Sequence, residues 1–256
     1  MASLTALCSA KGSPGVTTLA LALTYAWPND VLLIDADVVA GSAVLAGHLS
    51  GREAHERGLL GLALAHRRNG RLTEDDLWAQ SIELAEGRYL LPGLWDPVQA
   101  AQMSAVWPAL ADVVQGLPSV DVIVDVGRLG TAFDASALLG RADLVVQVGR
   151  CTLVDAYALT RRLPALRSVA PPDAVRLATV GSPDPYPPAE LSRKLGVPLL
   201  CDVPWDPPAA AVYSHGRPPG RRRGKAPLDA SAAKAAAAVL ACVRRPISTG
   251  PGGYGA

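Results

Sequence analysis

The chain has 256 residues, of which 50% are apolar and 18% are charged, enough to bury the core of one large α/β domain or two small ones. Lys and Arg number 24 against 23 Asp and Glu, and the formal net charge of +1 excludes binding to nucleic acid by bulk charge alone. Aromatic residues make up only 5% of the chain, so a base-stacking surface is not expected.

The cysteines and the hydropathy pattern indicate a reducing compartment. The cysteines stand far apart and form no Cys-x-x-Cys pair, a spacing that favours neither a zinc site nor a disulfide framework. No apolar run is long enough to span a membrane, and no targeting segment is recognisable. A cytoplasmic location is therefore expected. The cysteines are Cys8, Cys151, Cys201 and Cys242.

Short apolar runs alternate with longer helical patterns along the chain, and several runs are apolar throughout, as in strands that are covered on both faces. This alternation predicts an α/β fold with a mostly parallel central sheet and helices on both faces. The predicted strands are Leu4–Cys8, Val31–Asp35, Arg88–Leu91, Val120–Asp125, Leu144–Val148, Val175–Val180 and Leu199–Val203. The predicted helices are Val16–Ala26, Pro97–Gln115, Thr152–Arg167 and Pro187–Leu195.

Two segments have less regular patterns. The polar, Arg-rich segment Gly41–Glu86 predicts one or two short helices. The segment Gly216–Pro227 combines Gly, Pro and like charges, which is typical of a mobile loop.

The C-terminal part predicts a last helix and a tail. An Ala-rich helix is expected over Leu228–Arg245, with Asp229 or Ser231 as its N-cap. The residues from 246 to 256, rich in Gly and Pro, are expected to be a disordered tail. No linker divides the rest, so residues 1–245 are expected to form a single domain.

A Gly-containing turn follows the first strand and opens the first helix. The strand Leu4–Cys8 continues into Ser9–Thr18, SAKGSPGVTT, and backbone N–H groups in such a turn converge on phosphate oxygens. Thr17 would place a hydroxyl where Mg²⁺ binds. The standard phosphate loop has glycine at the position of Ala10 and lysine at the position of Val16. The alternative interpretation is an ordinary turn between strand and helix, with no ligand.

Carboxylates follow two of the predicted parallel strands. Asp35 and Asp37 come at the end of the second strand, and Asp125 ends the strand that begins at Val120. The carboxyl edge of an open α/β sheet is where ligands bind, and an aspartate there can hold the water shell of Mg²⁺. Each aspartate alone could be a helix cap or a turn residue.

These motifs together resemble the ParA/MinD family. The segment Lys11–Thr18 resembles the family's deviant Walker A loop, KGGxGKTT, Asp35-x-Asp37 resembles its second motif, and Val124–Gly127 resembles its Walker B strand. The resemblance runs from Met1 to about Arg245. Three later segments follow the family's order of motifs: Ala142–Val146, Val203–Asp206 and Gly216–Pro218.

One further segment resembles a branch of that family. The segment Leu91–Pro97, LPGLWDP, and the lack of a receiver-like leader are similar to the pilus-localising TadZ/CpaE branch. They are also similar to the actinobacterial septum site-determining proteins.

The resemblance implies roles for individual side chains around bound ATP and Mg²⁺. Lys11 would reach across a homodimer to the phosphates of the partner subunit, and Asp37 would orient the attacking water or act in a dimer switch. Thr17 would be a direct ligand of Mg²⁺. Asp125 would hold the ion through water, with Asp35 close to it.

The resemblance also implies which residues line the nucleotide. The loop would hold the phosphates, with Thr18 at the α-phosphate, and the turn after the last predicted strand would lie beside the base. The residues implied to bind the nucleotide are Gly12, Ser13, Pro14, Gly15, Val16, Thr17, Thr18, Pro204, Trp205 and Asp206.

Val16 argues against efficient hydrolysis of ATP. The family's lysine at that position would contact the β- and γ-phosphates, and its loss predicts a weak ATPase at most. The function implied is a spatial-organisation protein, working as a nucleotide-gated dimer or a scaffold that recruits a protein partner and positions a pilus, secretion or division apparatus. The alternatives are a binding module without nucleotide and an ATP-dependent enzyme of the same fold.

Two further segments bear on binding to DNA or to a membrane. The basic run Arg221, Arg222, Arg223 and Lys225 is either part of a solvated loop or a site that binds DNA phosphates. A steep salt dependence of the affinity for DNA would indicate the second. The last predicted helix lacks bulky aromatic residues, so packing on the sheet explains it better than contact with a membrane does.

Overall fold

The structure, a computed structural model, describes residues 2–12, 14–39, 41–181, 186–219 and 224–243. The strands are β1 (Leu4–Ser9), β2 (Val31–Asp35), β3 (Ile82–Ala85), β4 (Arg88–Leu91), β5 (Asp121–Arg128), β6 (Leu144–Gly149), β7 (Val175–Val180) and β8 (Leu199–Val203). They form one sheet in the order β3-β4-β2-β5-β1-β6-β7-β8. All neighbouring pairs are parallel except β3 and β4.

Helices connect the strands. They are α1 (Val16–Ala26), α2 (Leu59–Asn69), α3 (Glu74–Gln80), α4 (Val106–Gln115), α5 (Ser136–Leu139), α6 (Leu153–Val169), α7 (Pro188–Leu195), α8 (Pro207–His215) and α9 (Pro227–Val243). A π-helical turn spans Val44–His48 and a 3₁₀ helix spans Pro97–Met103. No helix within the described ranges is both long and apolar enough to cross a membrane.

The sheet is buried on both faces, which confirms the predicted α/β architecture. Along β2 the side chains alternate: Leu32 and Ile34 belong to one hydrophobic cluster, and Val31 and Leu33 belong to the other. The first cluster includes residues of α2, α4 and α6, and the second includes residues of α1, α8 and α9. Burial on both faces explains why the central strands are apolar throughout.

The structure corrects several predicted elements. The predicted helix Pro97–Gln115 is broken, because a 3₁₀ helix ends at Met103 before α4 begins at Val106. The segment Gly41–Glu86 contains α2, α3, a π-helical turn and also β3, which pairs antiparallel with β4. The helix α8 was not predicted.

The predicted N-cap of the last helix is wrong. Asp229 and Ser231 lie inside α9, which begins at Pro227. The carboxylate of Asp229 instead accepts a hydrogen bond from the hydroxyl of Tyr213 at 2.7 Å, so it ties α9 to α8. The predicted tail from residue 246, and Arg221, Arg222 and Arg223 of the basic run, lie outside the described residues.

Asp121, at the start of β5, connects the residues before β1 and β2 with the C-terminal end of α1. Its carboxylate accepts hydrogen bonds from the N–H and hydroxyl of Ser3, at 2.7 and 2.8 Å, from Nε1 of Trp27 at 2.8 Å and from Nδ2 of Asn29 at 2.9 Å. Burial alone would raise the pKa of Asp121, but the hydrogen bonds from Asn29, Trp27 and Ser3 outweigh it and leave the pKa below its ordinary value.

We expect Asp121→Ala to lower the free energy of unfolding by about 3 kcal/mol, because it strands buried donors that now bind a carboxylate. Asp121→Asn keeps an acceptor oxygen and should lose less. Urea unfolding of the wild type and the two variants measures the difference. Equal losses for Ala and Asn would contradict the role given to the acceptor oxygens.

Candidate functional site

The predicted phosphate loop, residues 9–18, lies between β1 and α1. The hydroxyl of Ser9, the last residue of β1, donates to the carbonyl of Gly127 at 3.2 Å, and the backbone carbonyl of Ser9 accepts from the N–H of Leu129 at 2.9 Å. The start of the loop is therefore fixed to the carboxyl end of β5, where Asp125 lies.

The N terminus of α1 is open to a ligand. Its N-cap, Gly15, has a φ of 101°, a left-handed conformation that favours glycine, and no side chain of the described residues caps the helix. The first N–H groups of a helix need acceptors and carry the positive end of the helix dipole, so they suit an anion. Pro14 has no N–H and contributes no donor, which leaves this loop with fewer amide donors than one without proline.

Val16, where the standard loop has lysine, is 5% exposed and packs in the hydrophobic cluster with Leu7 and Leu19. It supplies no charge. Lys11 carries the loop's positive charge, but its Nζ lies 3.6 Å from Oδ2 of Asp155, in the first turn of α6. The Lys11 side chain is thus paired within its own chain.

The three predicted aspartates form an acid cluster, consisting of Asp35, Asp37 and Asp125. Asp35 and Asp125 are directly paired in register between β2 and β5. A Cβ built on Gly127 would lie 2.3 Å from Cγ of Asp37, so only glycine leaves room for that carboxylate beside Asp125. The sequence correctly predicted that these side chains share one edge of the sheet.

Glycine and serine residues around the cluster hold Asp35. Ser42 donates its hydroxyl to Oδ2 of Asp35 at 2.7 Å. A Cβ built on Gly93 would lie 2.9 Å from Cγ of Asp35, so the segment Leu91–Pro97 passes directly against the acid cluster. The sequence singled out that segment only for its resemblance to a family branch.

The acid cluster holds its protons strongly. Burial, with the nearby charge of Asp125, raises the pKa of Asp35 to about 8. Burial also raises the pKa of Asp125 to about 6; the Asp37 charge adds to this and the Thr17 hydroxyl opposes it. Burial raises the pKa of Asp37 as well, against hydrogen bonding from Val39 and the charge of Arg128. A cation bound here would reverse these shifts.

The cluster suits Mg²⁺ that keeps part of its water shell. Asp125 accepts a hydrogen bond from the N–H of Gly127 at 2.9 Å through Oδ1. Among the described residues its buried Oδ2 has no partner with good hydrogen-bond geometry, although the Thr17 hydroxyl lies near enough to lower the pKa of Asp125. The described residues contain no group of three or more His, Cys, Asp and Glu arranged to hold a metal. Mg²⁺ commonly binds one or two carboxylates and several waters rather than a full protein cage, so these residues fit that ion.

A cavity of about 260 Å³ opens beside the loop. Its lining includes Pro14, Gly15 and Thr18 at the start of α1, and the turn Pro204–Asp206 between β8 and α8. Trp205 in this turn is 57% exposed. The turn predicted to border a base therefore does border a cavity next to the phosphate loop.

Asp206 has a structural role in this turn. Its carboxylate accepts hydrogen bonds from the N–H of Ala209, in the first turn of α8, and from the N–H of Leu228, in α9, both at 3.3 Å. The carboxylate therefore holds the cavity wall in place.

The structure brings together most of the predicted site. The loop, the acid cluster and the turn at Trp205 share the carboxyl edge of the sheet. Sequence reasoning missed Arg150 and Asp155, which lie beside the loop. No local motif marks Arg150, and the Thr152-x-x-Asp155 capping pattern indicates a helix start rather than a binding site. Ser13, also predicted to bind the nucleotide, lies outside the described residues.

No family model and no curated protein matches this chain, but solved structures do. The septum site-determining protein MinD from Pyrococcus horikoshii, complexed with Mg-ADP, has a TM-score of 0.72 and 20% identity, over 96% of this chain and 100% of that one. A ParA family ATPase from Chlorobium tepidum has a TM-score of 0.70 and 16% identity, over 92% and 99%. Apo McdA from Cyanthece has a TM-score of 0.68 and 15% identity, over 92% and 99%. The chain therefore has the fold of the ParA/MinD-type P-loop ATPases.

Proposed function

We propose that this chain binds ATP with Mg²⁺ at the carboxyl edge of its sheet and acts as a ParA/MinD-like spatial organiser with weak or no hydrolysis. The observation that carries the proposal is the buried Oδ2 of Asp125 at the N terminus of α1, for which the described residues offer no well-formed hydrogen bond and to which the Thr17 hydroxyl is the nearby group. An orphaned buried carboxylate oxygen is costly unless a donor or a cation meets it. A helix N terminus at the same place suits the phosphates that accompany Mg²⁺.

The proposed binding residues divide by chemistry. Thr17 would bind Mg²⁺ directly, Asp125 would hold it through water, and Asp35 would lie close to it. Thr18 and the loop amides would hold the phosphates, and the Pro204–Asp206 turn would border the base. The bound ion would neutralise the developing charge on the phosphates.

Weak hydrolysis follows from the charges of the loop. Val16 offers no cation, and Lys11 is paired with Asp155 at 3.6 Å. For Lys11 to serve a partner subunit's phosphates, this ion pair has to break. Transition-state charge on the transferred group is what such lysines offset, so we expect turnover well below that of a loop with both lysines, with Asp37 left to orient water.

A homodimer across the nucleotide edge is part of the proposal. Most of the large apolar side chains exposed in the described ranges follow the carboxyl ends of strands, around the loop and acid cluster. Burial of such a patch favours association. The apolar residues at this edge are Val39, Trp95, Val98, Phe133, Leu153, Val154, Tyr157 and Trp205.

The organising role is supported by the proteins that share the fold. They include a MinC:MinD cell division complex from Aquifex aeolicus and a putative plasmid partition protein from Borrelia burgdorferi bound to AMPPNP. By analogy, we propose a cytoplasmic protein with one domain over residues 1–245. It would recruit a protein partner to a pilus, secretion or division apparatus. Contact of Arg221, Arg222 and Arg223 with DNA stays a prediction.

Calorimetric titration of the full chain with ATP, with and without Mg²⁺, tests nucleotide binding. We expect Mg²⁺ to tighten binding by about tenfold, or about 1.4 kcal/mol, and Thr17→Ala to remove that difference. Thr160→Ala, which removes a hydroxyl on the exposed side of α6, is the matched control and should behave as the wild type. Size measurement with and without Mg-ATP tests the dimer. No heat of binding in the wild type would refute the nucleotide site.

A nucleotide-free binding module is the second candidate. The buried Val16, the missing amide of Pro14 and the internal Lys11–Asp155 pair favour it. Under this alternative, ATP changes neither the size nor the thermal stability of the protein, whereas the apolar edge still binds a partner.

A further inference from the structure

Arg150 is fixed beside the phosphate loop by its backbone. It follows the last residue of β6, and β6 pairs with β1 so that Val148 lies opposite Ser9. The N–H of Arg150 donates to Oδ1 of Asp155 at 3.2 Å. The other oxygen of that carboxylate faces Nζ of Lys11, so Arg150 and Lys11 share one anchoring residue.

The guanidinium of Arg150 lies in the cavity beside the loop. Its Cζ is 4.7 Å from the ring centroid of Trp205, a distance that allows a cation–π contact. The same cavity is lined by Gly15 and Thr18. The Trp205 ring contacts one face of the guanidinium. The N–H groups around the edge of the guanidinium can therefore still donate hydrogen bonds in its plane.

One of those edge donors, Nε, lacks an acceptor. Among the residues that the structure describes, the buried Nε of Arg150 has no hydrogen-bond partner and the side chain forms no ion pair. A buried donor without an acceptor costs free energy that a ligand oxygen would recover. An aromatic base cannot meet this need through its face, but an anionic oxygen can.

Among the described residues that line the cavity, Arg150 is the one Lys or Arg. Val16 is apolar, and the charge of Lys11 is paired with Asp155. The uncapped N terminus of α1 faces the same cavity through Gly15. An anion entering here would meet the amides of α1 on one side and Arg150 on the other.

We propose that Arg150 is a nucleotide-binding residue whose guanidinium, held by Trp205, donates to the phosphate chain and supplies the charge that Val16 does not. This inference rests on the proposed function, since it concerns the same nucleotide. An arginine in this position is suited to phosphate because its planar fork can form two parallel hydrogen bonds.

Calorimetric titration of Arg150→Gln with ligands that carry only part of a nucleotide tests the role. We expect the affinity for ADP and for inorganic pyrophosphate to fall by about 10- to 100-fold. The affinity for adenosine should change by less than about 2-fold, because no phosphate is present. Arg150→Lys keeps the charge but not the fork, so we expect a smaller loss for ADP.

Arg141→Gln is the control, since it removes the same charge from a surface ion pair with Asp112, at the other end of β6. It should leave ADP affinity unchanged. Thermal unfolding without ligand checks that the Arg150 variants fold.

Each result has a definite meaning. Equal losses for ADP and adenosine would overturn the phosphate contact, and so would an Arg150→Gln variant that binds ADP as the wild type does, while the proposed function stands in both cases. A wild type that binds neither ADP nor pyrophosphate would overturn the inference and the proposed function together.

Discussion

Val16→Lys is expected to tighten the binding of Mg-ATP by about 10- to 100-fold, because a charge-assisted hydrogen bond contributes about 1.5–3 kcal/mol. Val16 is the first residue of α1, directly after the uncapped Gly15, and the amides and acid cluster around it are already in place. Calorimetric titration with Mg-ATP and steady-state measurement of phosphate release should both register the change, with turnover rising as well.

The control for this variant separates charge from size. Val16 is buried in a hydrophobic cluster, so any longer side chain has to leave the core and extend toward the cavity. Val16→Met is similar in length to lysine without its ammonium group and should leave affinity near that of the wild type. If the Lys and Met variants bind Mg-ATP equally, a missing charge is not what limits this site.

The same variant bears on Arg150. If Arg150 supplies the charge that position 16 lacks, the two cations act on one phosphate chain, and their effects should not add. In the V16K background, Arg150→Gln should therefore cost less ADP affinity than in the wild type. Independent, additive losses would mean that Arg150 and position 16 act on different parts of the ligand.

The predictable part of this fold came from strands that are buried on both faces. Runs such as Val31–Asp35 are apolar because helices cover each side of the sheet, and such runs stand out in a sequence. The acid cluster was predictable for a related reason: polar residues at the ends of parallel strands meet at one edge. Asp35 and Asp125 are direct neighbours in register.

The missed elements lacked any comparable local signal. β3 has only four residues, Ile82–Ala85, and lies at the edge of the sheet, where a half-exposed strand needs no continuous apolar run. α8 begins with Pro207 and Pro208. Two prolines in sequence usually indicate a loop, although proline is also well suited to the first turn of a helix. The positions of Arg150 and Asp155 at the site depend on tertiary contacts, of Arg150 with Trp205 and of Asp155 with Lys11.

The acid cluster makes the stability of the protein depend on pH. The pKa of Asp35 is raised to about 8 and that of Asp125 to about 6, from an ordinary value of 3.8. Between these limits the folded state holds protons that the unfolded state has released. The free energy of unfolding therefore falls as the pH rises from about 4 to 8. The full loss of stability is reached above the pKa values that the two carboxyls have in the folded state.

Lowering the pH from 8 to 6 is therefore expected to stabilise the protein without nucleotide and Mg²⁺, at up to about 1.4 kcal/mol per pH unit for each proton. Asp35→Asn keeps an oxygen that can accept the Ser42 hydrogen bond. It removes the carboxyl whose pKa is raised most. It should raise the free energy of unfolding at pH 8 and reduce its dependence on pH, while Asp75→Asn on the exposed start of α3 should leave that dependence unchanged.

Mg²⁺ added at pH 8 should stabilise the wild type more than Asp35→Asn, because the ion offsets the repulsion between the same carboxylates. Urea unfolding at several pH values measures all of these, and equal slopes for the wild type and Asp35→Asn would show that the buried carboxylate is not the source.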